Sequence, residues 1–201
     1  MHRVFLLSPA NAGGKRAELL LREEATFPLA ARLRGMQGIA LGEAFSFMSG
    51  LYFRGKLAYA RHFARPPAGA AGALVITANR GLLPADTSVR PDDLRALGLV
   101  DIHSDDPRYR LPLLAALERL RAIPDLDLVL LGSVATGKYV DVLLEVLGER
   151  LRFPLAFVGR GDMSRGALLL RAARSGEELE YVPLHGAVRH GPRPPRLEPA
   201  R

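Results

Sequence analysis

Leu126-Asp127-Leu128-Val129-Leu130-Leu131-Gly132-Ser133-Val134-Ala135-Thr136-Gly137-Lys138-Tyr139 decides the fold. The nearly unbroken apolar run at 126–131 predicts a strand covered on both faces, because a half-exposed strand would alternate with polar residues. Gly132 ends it. Residues 139–147 then carry apolar side chains at helical spacing, with Gly148 just past the end, where helices commonly stop. Buried strand, glycine turn and amphipathic helix together make the repeating unit of a parallel α/β sheet.

Outward from this unit, apolar runs predict strands at 4–7, 73–77, 151–158 and 179–182. Pro154 marks the fourth of these five strands as an edge or a bulge. Helical spacing predicts helices at 15–24, 27–34, 43–49, 53–63, 92–97 and 111–121, and 167–173 fits helix or strand. The expected fold is therefore a three-layer α/β sandwich. Its sheet would be mostly parallel, with about four to six strands in a domain spanning residues 1–188. Residues 189–201 read as a Pro/Arg-rich tail, expected to be poorly ordered.

Composition narrows the partners. The chain has 201 residues, net charge +7 and no cysteine. No disulfide, cysteine-based zinc site or thiol nucleophile is available. No apolar run is long enough for a membrane span, and the apolar stretch after Met1 stops at Ser8-Pro9, too early for a signal peptide. A cytoplasmic protein is expected. Of the 28 basic residues only Lys15, Lys56 and Lys138 are lysines, and the excess charge lies in the first half of the chain. The charge keeps nucleic acid among the partners to consider. His2, His62, His103, His185 and His190 are scattered. His103 with Asp101, Asp105 and Asp106 is the only cluster of ligand types, and it lacks a metal-site spacing. No metal and no cofactor is expected.

Four loops follow predicted strands: 8–14, 79–83, 132–138 and 159–166. A parallel sheet would bring their starts to its carboxyl edge, where such sheets bind ligands. Gly132–Lys138 matches G-x-x-x-x-G-K, with Tyr139 where a nucleotide-hydrolysing loop needs a Ser or Thr for Mg²⁺. It suits anion binding without that metal, through Gly132, Ser133, Thr136, Gly137 and Lys138, or else it is a steric turn. In 159–166, Arg160 and Arg165 could grip a phosphate or carboxylate, with Gly161 and Ser164 beside them. Asp162 could act as a general base or stand paired with an arginine. Asn79 and Arg80 offer a base-reading amide and a cation. Tyr52 and Arg54 combine an aromatic face with a charge. Glu43 is a second carboxylate, or a cap at a helix start.

Leu74-Val75-Ile76-Thr77-Ala78-Asn79-Arg80-Gly81-Leu82-Leu83-Pro84-Ala85-Asp86 resembles families of uncharacterised bacterial α/β domains. In those families a strand runs into a Gly-Leu-Leu turn with an acidic residue after it. The segment 50–56, Gly137-Lys138-Tyr139 and Phe153-Pro154-Leu155 look like their counterparts, so the resemblance spans about residues 45–170. The turn carries Asn79-Arg80 where Lys-Tyr is more typical. The resemblance implies an α/β fold and a nucleotide- or nucleobase-related role.

The leading expectation is a Mg²⁺-independent enzyme on a nucleoside, nucleotide or nucleobase, cleaving or transferring an N-glycosidic bond. Asp162 or Glu43 would be base or nucleophile. Lys138, Arg160 and Arg165 would hold phosphate, and Asn79 and Tyr52 the base. A non-catalytic nucleotide or nucleic-acid binding module and an interaction protein, including a homo-oligomer, are the alternatives.

Overall fold

The structure is a computed structural model that describes residues 1–135 and 137–195. In chain order the elements are β1 (His2–Leu7), α1 (Lys15–Leu21), α2 (Pro28–Arg34), β2 (Ile39–Ala40), α3 (Leu41–Ser49), α4 (Leu51–Phe63), β3 (Ala73–Ile76), β4 (Leu82–Pro84), β5 (Ser88–Val89), α5 (Pro91–Gly98), α6 (Pro107–Arg121), β6 (Leu126–Leu131), α7 (Gly137–Leu147), β7 (Leu151–Pro154), α8 (Asp162–Ser175) and β8 (Tyr181–Pro183). Six strands form one sheet in the order β4-β3-β1-β6-β7-β8, and β2 pairs with β5 apart from it. β3, β1, β6 and β7 run parallel. β4 and β8 close the two edges antiparallel.

All six residues of β6 are buried, as its apolar run demands. Connections between parallel strands are right-handed, so a chain that leaves β1 toward β3 and returns past it to β6 must put its helices on opposite faces. Accordingly α4 packs with α8, and α6 packs with α7. The result is a three-layer α/β fold with a mostly parallel sheet. No helix is long and apolar enough to cross a membrane among the described residues.

Several elements differ from the sequence reading, among them the short β2–β5 ladder, which reads as loop, and α6, which starts at Pro107 rather than 111. β4 lies in what reads as a loop, because a three-residue strand after a tight turn has no periodicity to detect. β7 stops at Pro154, and residues 155–157 form a 3₁₀ turn. The 159–166 loop is helical from Asp162 onward. Gly166 sits inside that helix because α8 crosses α4 at Gly55. A Cβ on Gly55 would lie 2.5 Å from the Gly166 carbonyl oxygen, and one on Gly166 2.8 Å from the Cα of Tyr52. Two glycines let the helix backbones touch, and that contact outweighs glycine's poor helix propensity.

The two ends of the sheet differ in chemistry. At the amino end, Arg3 Nε donates to buried Asp127 at 2.7 Å and also pairs with Glu178. The Tyr59 and Tyr181 hydroxyls meet at 2.5 Å, and the Leu179 amide donates to Tyr59 at 2.8 Å. Asp127 Oδ1 is left without a hydrogen bond among the described residues, with the Arg152 guanidinium 3.9 Å away. From the expected tail, Arg189 lies 3.8 Å from Asp141, and the Pro195 carbonyl accepts from Arg160. Residues 196–201 lie outside the described residues.

Candidate functional site

β1 is the strand at which the topology reverses. One connection leaves it toward β3 and the other side belongs to β6, so the loops at their carboxyl ends part and leave a crevice. A cavity of about 770 Å³ opens there. The loop after β1 supplies Ser8, Asn11 and Gly13. The loop after β6 and the start of α7 supply Ser133, Lys138 and Tyr139, and the start of α8 supplies Asp162. Phe45 of α3 and Tyr52 of α4 make an aromatic wall, and Asp101 and His103 close the far rim.

Ser8 is held at the cavity floor by the sheet itself: its amide extends the ladder to the Leu131 carbonyl at 3.1 Å. Beneath it lies Lys56, whose residue is only 1% exposed. Lys56 Nζ is 2.6 Å from the Ser8 carbonyl oxygen and 2.8 Å from Ser8 Oγ. Its other surroundings are the rings of Tyr52 and Phe53, at 4.5 and 4.7 Å from Nζ to the centroids. Burial pushes the Lys56 ammonium down to about 7, and the nearby Asp162 carboxylate only partly opposes this. Amine and ammonium forms are thus both accessible near neutrality.

Tyr139 adds a second hydroxyl. It donates to the Ser133 carbonyl at 2.7 Å and stands beside Ser8, while burial raises its pKa to about 12. Gly132 leaves room for this arrangement. A Cβ there would come within 2.9 Å of the Tyr139 hydroxyl and 3.2 Å of Ser8 Oγ. The first glycine of the G-x-x-x-x-G-K pattern therefore has a packing reason. The Tyr52 hydroxyl is buried and has no hydrogen-bond partner among the described residues. Burial drives its pKa upward against the opposing charge of Arg165. A buried hydroxyl left without a partner costs free energy.

The sequence-predicted residues divide clearly. Tyr52, Ser133, Lys138 and Asp162 line the cavity. Gly132 abuts it from behind Ser8. Arg165 is buried behind Asp162, 3.3 Å from its carboxylate, and also donates to the Phe157 carbonyl. Arg160 is turned to the Ala156 carbonyl and to Ser164, at 2.9 and 3.2 Å, so Arg160, Ser164 and Gly161 lie outside the lining. Asn79 donates to the Ala96 carbonyl at 2.8 Å and Arg80 pairs with Asp93 at 2.8 Å. Both fasten α5 rather than face the cavity, and only Ala78 of that turn reaches it. Glu43 is held by Arg32 in a two-point pair at 2.6 and 2.9 Å, away from the lining. Arg54 is exposed on the outer side of α4, and Gly137 packs against Asp141. Thr136 lies outside the described residues.

Sequence reasoning passes over Ser8, Lys56, Asn11 and Phe45 as site residues. Lys56 did carry a signal. It interrupts the buried stripe of Tyr52, Phe53, Tyr59, Ala60 and Phe63 in α4, and a lysine is almost never fully buried without a reason.

Asp101 and His103 reach the rim, whereas Asp106 caps α6 by accepting from the Arg108 amide at 2.9 Å. Among the described residues no group of three or more His, Asp and Glu side chains is placed to hold a metal ion. Compared with known proteins, the chain matches no family model, no curated protein and no solved structure.

Proposed function

We propose that the cavity between β1 and β6 is the binding site of a phosphate-bearing small molecule of the nucleotide class, and that the protein is an enzyme acting on it. The observation that carries this reading is the composition of one crevice. Lys138 and His103 stand on its rim, Phe45 and Tyr52 form an aromatic wall, and Asn11, Ser133 and Asp162 supply polar groups between them. A volume of about 770 Å³ is in the range of pockets that enclose such ligands. The lysine offers a point charge to phosphate, the rings a surface for a base, and the amide and carboxylate partners for sugar hydroxyls.

The glycosidic scheme that pairs Asp162 with Glu43 finds less support in this geometry, since Arg32 holds Glu43 outside the cavity. Thermal denaturation with a panel of nucleoside monophosphates, the parent nucleosides and inorganic phosphate tests the reading. A ligand at 100 times its Kd stabilises by about 2.7 kcal/mol, roughly 5–10 °C for a chain of this size. Nucleotides should give such a shift and nucleosides a smaller one, and Lys138→Ala should abolish the difference. A flat response across the panel would contradict the reading.

A further inference from the structure

From the placement of Ser8 and Lys56 we infer that Ser8 is a catalytic nucleophile and Lys56 its general base, in an acyl-transfer reaction on an ester or amide carbonyl of the cavity's ligand. The inference rests on the reading of the cavity as a small-molecule site, and adds to it a reaction and the groups that perform it.

Three observations converge. Ser8, 5% exposed, is one of the residues lining the cavity at the end of the central strand, where its amide is tied to the Leu131 carbonyl of β6. Lys56 Nζ stands 2.8 Å from that oxygen, within reach for direct proton transfer. The amine is also oriented: one N–H is committed to the Ser8 carbonyl at 2.6 Å, which leaves the nitrogen lone pair of the neutral form for the Oγ proton. A lysine that only braced a turn would not need to be enclosed by two rings and the strand end. A tie to a carbonyl is made as well from the surface, where the ammonium keeps its hydration.

In the reaction, neutral Lys56 takes the Ser8 hydroxyl proton as Oγ attacks the carbonyl carbon. The C–Oγ bond forms and the C=O π electrons move to the oxygen. As the tetrahedral intermediate collapses, the bond to the leaving alcohol or amine breaks, and Lys56 delivers the proton to it. A water molecule then attacks the acyl-Ser8 ester. Lys56 accepts the water's proton and returns it to Ser8, releasing a carboxylic acid. No oxidant, reductant or metal is needed. Tyr139, its hydroxyl beside Ser8, is the second group able to move a proton at Oγ.

The charged and titratable groups around Lys56 determine when it is a base. α8 brings Asp162, which favours the ammonium, and Arg165, which faces Tyr52 and Tyr139. α7 brings Tyr139, and α4 itself brings Tyr52. β3 has no charged side chain, and the charged residues of β1 are at its far end. On α3 the only one is Glu43, neutralised by Arg32. Burial outweighs the Asp162 charge, so the base form grows in as pH passes about 7.

The test is covalent labelling of the full chain with a fluorophosphonate, in which Ser8 Oγ forms the bond to phosphorus as fluoride leaves. Intact mass and peptide mapping read the site. One adduct on Ser8 is expected, absent in Ser8→Ala, with a rate that rises through a midpoint near pH 7 and then levels. Lys56→Met should slow labelling by about 100-fold or more. Exposed Arg54→Ala should leave it unchanged. If Lys56→Met fails to fold, the pH midpoint of the native chain decides alone. Absence of an adduct on Ser8, an adduct at another residue, a flat pH profile, or a folded Lys56→Met that labels at the native rate would each overturn the assignment. The nucleotide thermal shift should persist in Ser8→Ala. Labelling of Ser8 without any nucleotide shift would remove the proposed ligand class and leave the Ser8–Lys56 chemistry standing.

Discussion

Gly55→Ala should destabilise the protein by about 3 kcal/mol and lower its Tm by roughly 6–12 °C, the range for overpacking a tight contact in a chain of this length. The sign is the informative part. In an exposed helix interior the same change would stabilise by up to about 1 kcal/mol, because alanine is the better helix former. Here the added methyl would sit 2.5 Å from the Gly166 carbonyl oxygen, a separation that real Cβ atoms do not adopt. Neither partner is the flexible end of a side chain, so the helices themselves must part. Gly166→Ala meets the backbone of Leu51 and Tyr52 at 2.8 Å and should behave alike. Gly161→Ala, with open space around its Cβ, is the control and should cost under about 1 kcal/mol. Thermal or urea denaturation reads all three. A stabilised Gly55→Ala would show that α4 and α8 do not cross where the structure places them. The crossing matters for function because α4 carries Lys56 and Tyr52 while α8 carries Asp162 and Arg165.

The second large effect is a pH dependence. Lys56 has a folded pKa of about 7 against 10.5 when unfolded. Between those values the unfolded chain binds a proton that the native chain does not, so stability rises with pH across that window. Below about pH 7 both states are protonated, and the native fold bears the full cost of a buried ammonium. Above 10.5 both are neutral. The rise is on the order of 5 kcal/mol if the whole difference is realised. Lys56→Met has no such group and should lose the rise. The comparison must be made as a difference between native chain and variant. Tyr52, Tyr109 and Tyr181, raised by burial, keep their protons in the fold when the unfolded chain loses them. They therefore lower stability as pH climbs above about 10, and they do so in both proteins. Urea denaturation at a series of pH values gives the result. Parallel curves for the two proteins would mean that Lys56 titrates like an exposed lysine.

Much of the architecture could be read from residue pattern. The run at 126–131 is a central strand because every one of its residues is covered, and the helix after it ends as Gly148 suggests. What residue pattern does not encode depends on contacts distant in sequence. Gly166 looks like a loop residue until Gly55 is placed against it. Asn79 and Arg80 look like ligand groups until α5 is seen to need fastening. The cavity was partly legible, since two of the four strand-ending loops and the first residue of α8 do reach it. Its reactive pair was not. Ser8 reads as the end of a strand and Lys56 as one cation among many, and only the β1–α4 packing sets them 2.8 Å apart. Strand order, which local pattern does not encode, is what makes β1 the point of reversal and so places Ser8 at the crevice.

Ser8 can be activated only if Lys56 is a base at neutral pH. Direct titration of its side chain by NMR, following the ε-carbon and ζ-nitrogen signals of labelled lysine across pH, measures this. Only three lysines are present, so Lys15→Arg and Lys138→Arg assign the resonances. A midpoint near 7 is expected for Lys56. A midpoint near the ordinary 10.5 would leave Ser8 beside a permanent ammonium and contradict its activation by Lys56.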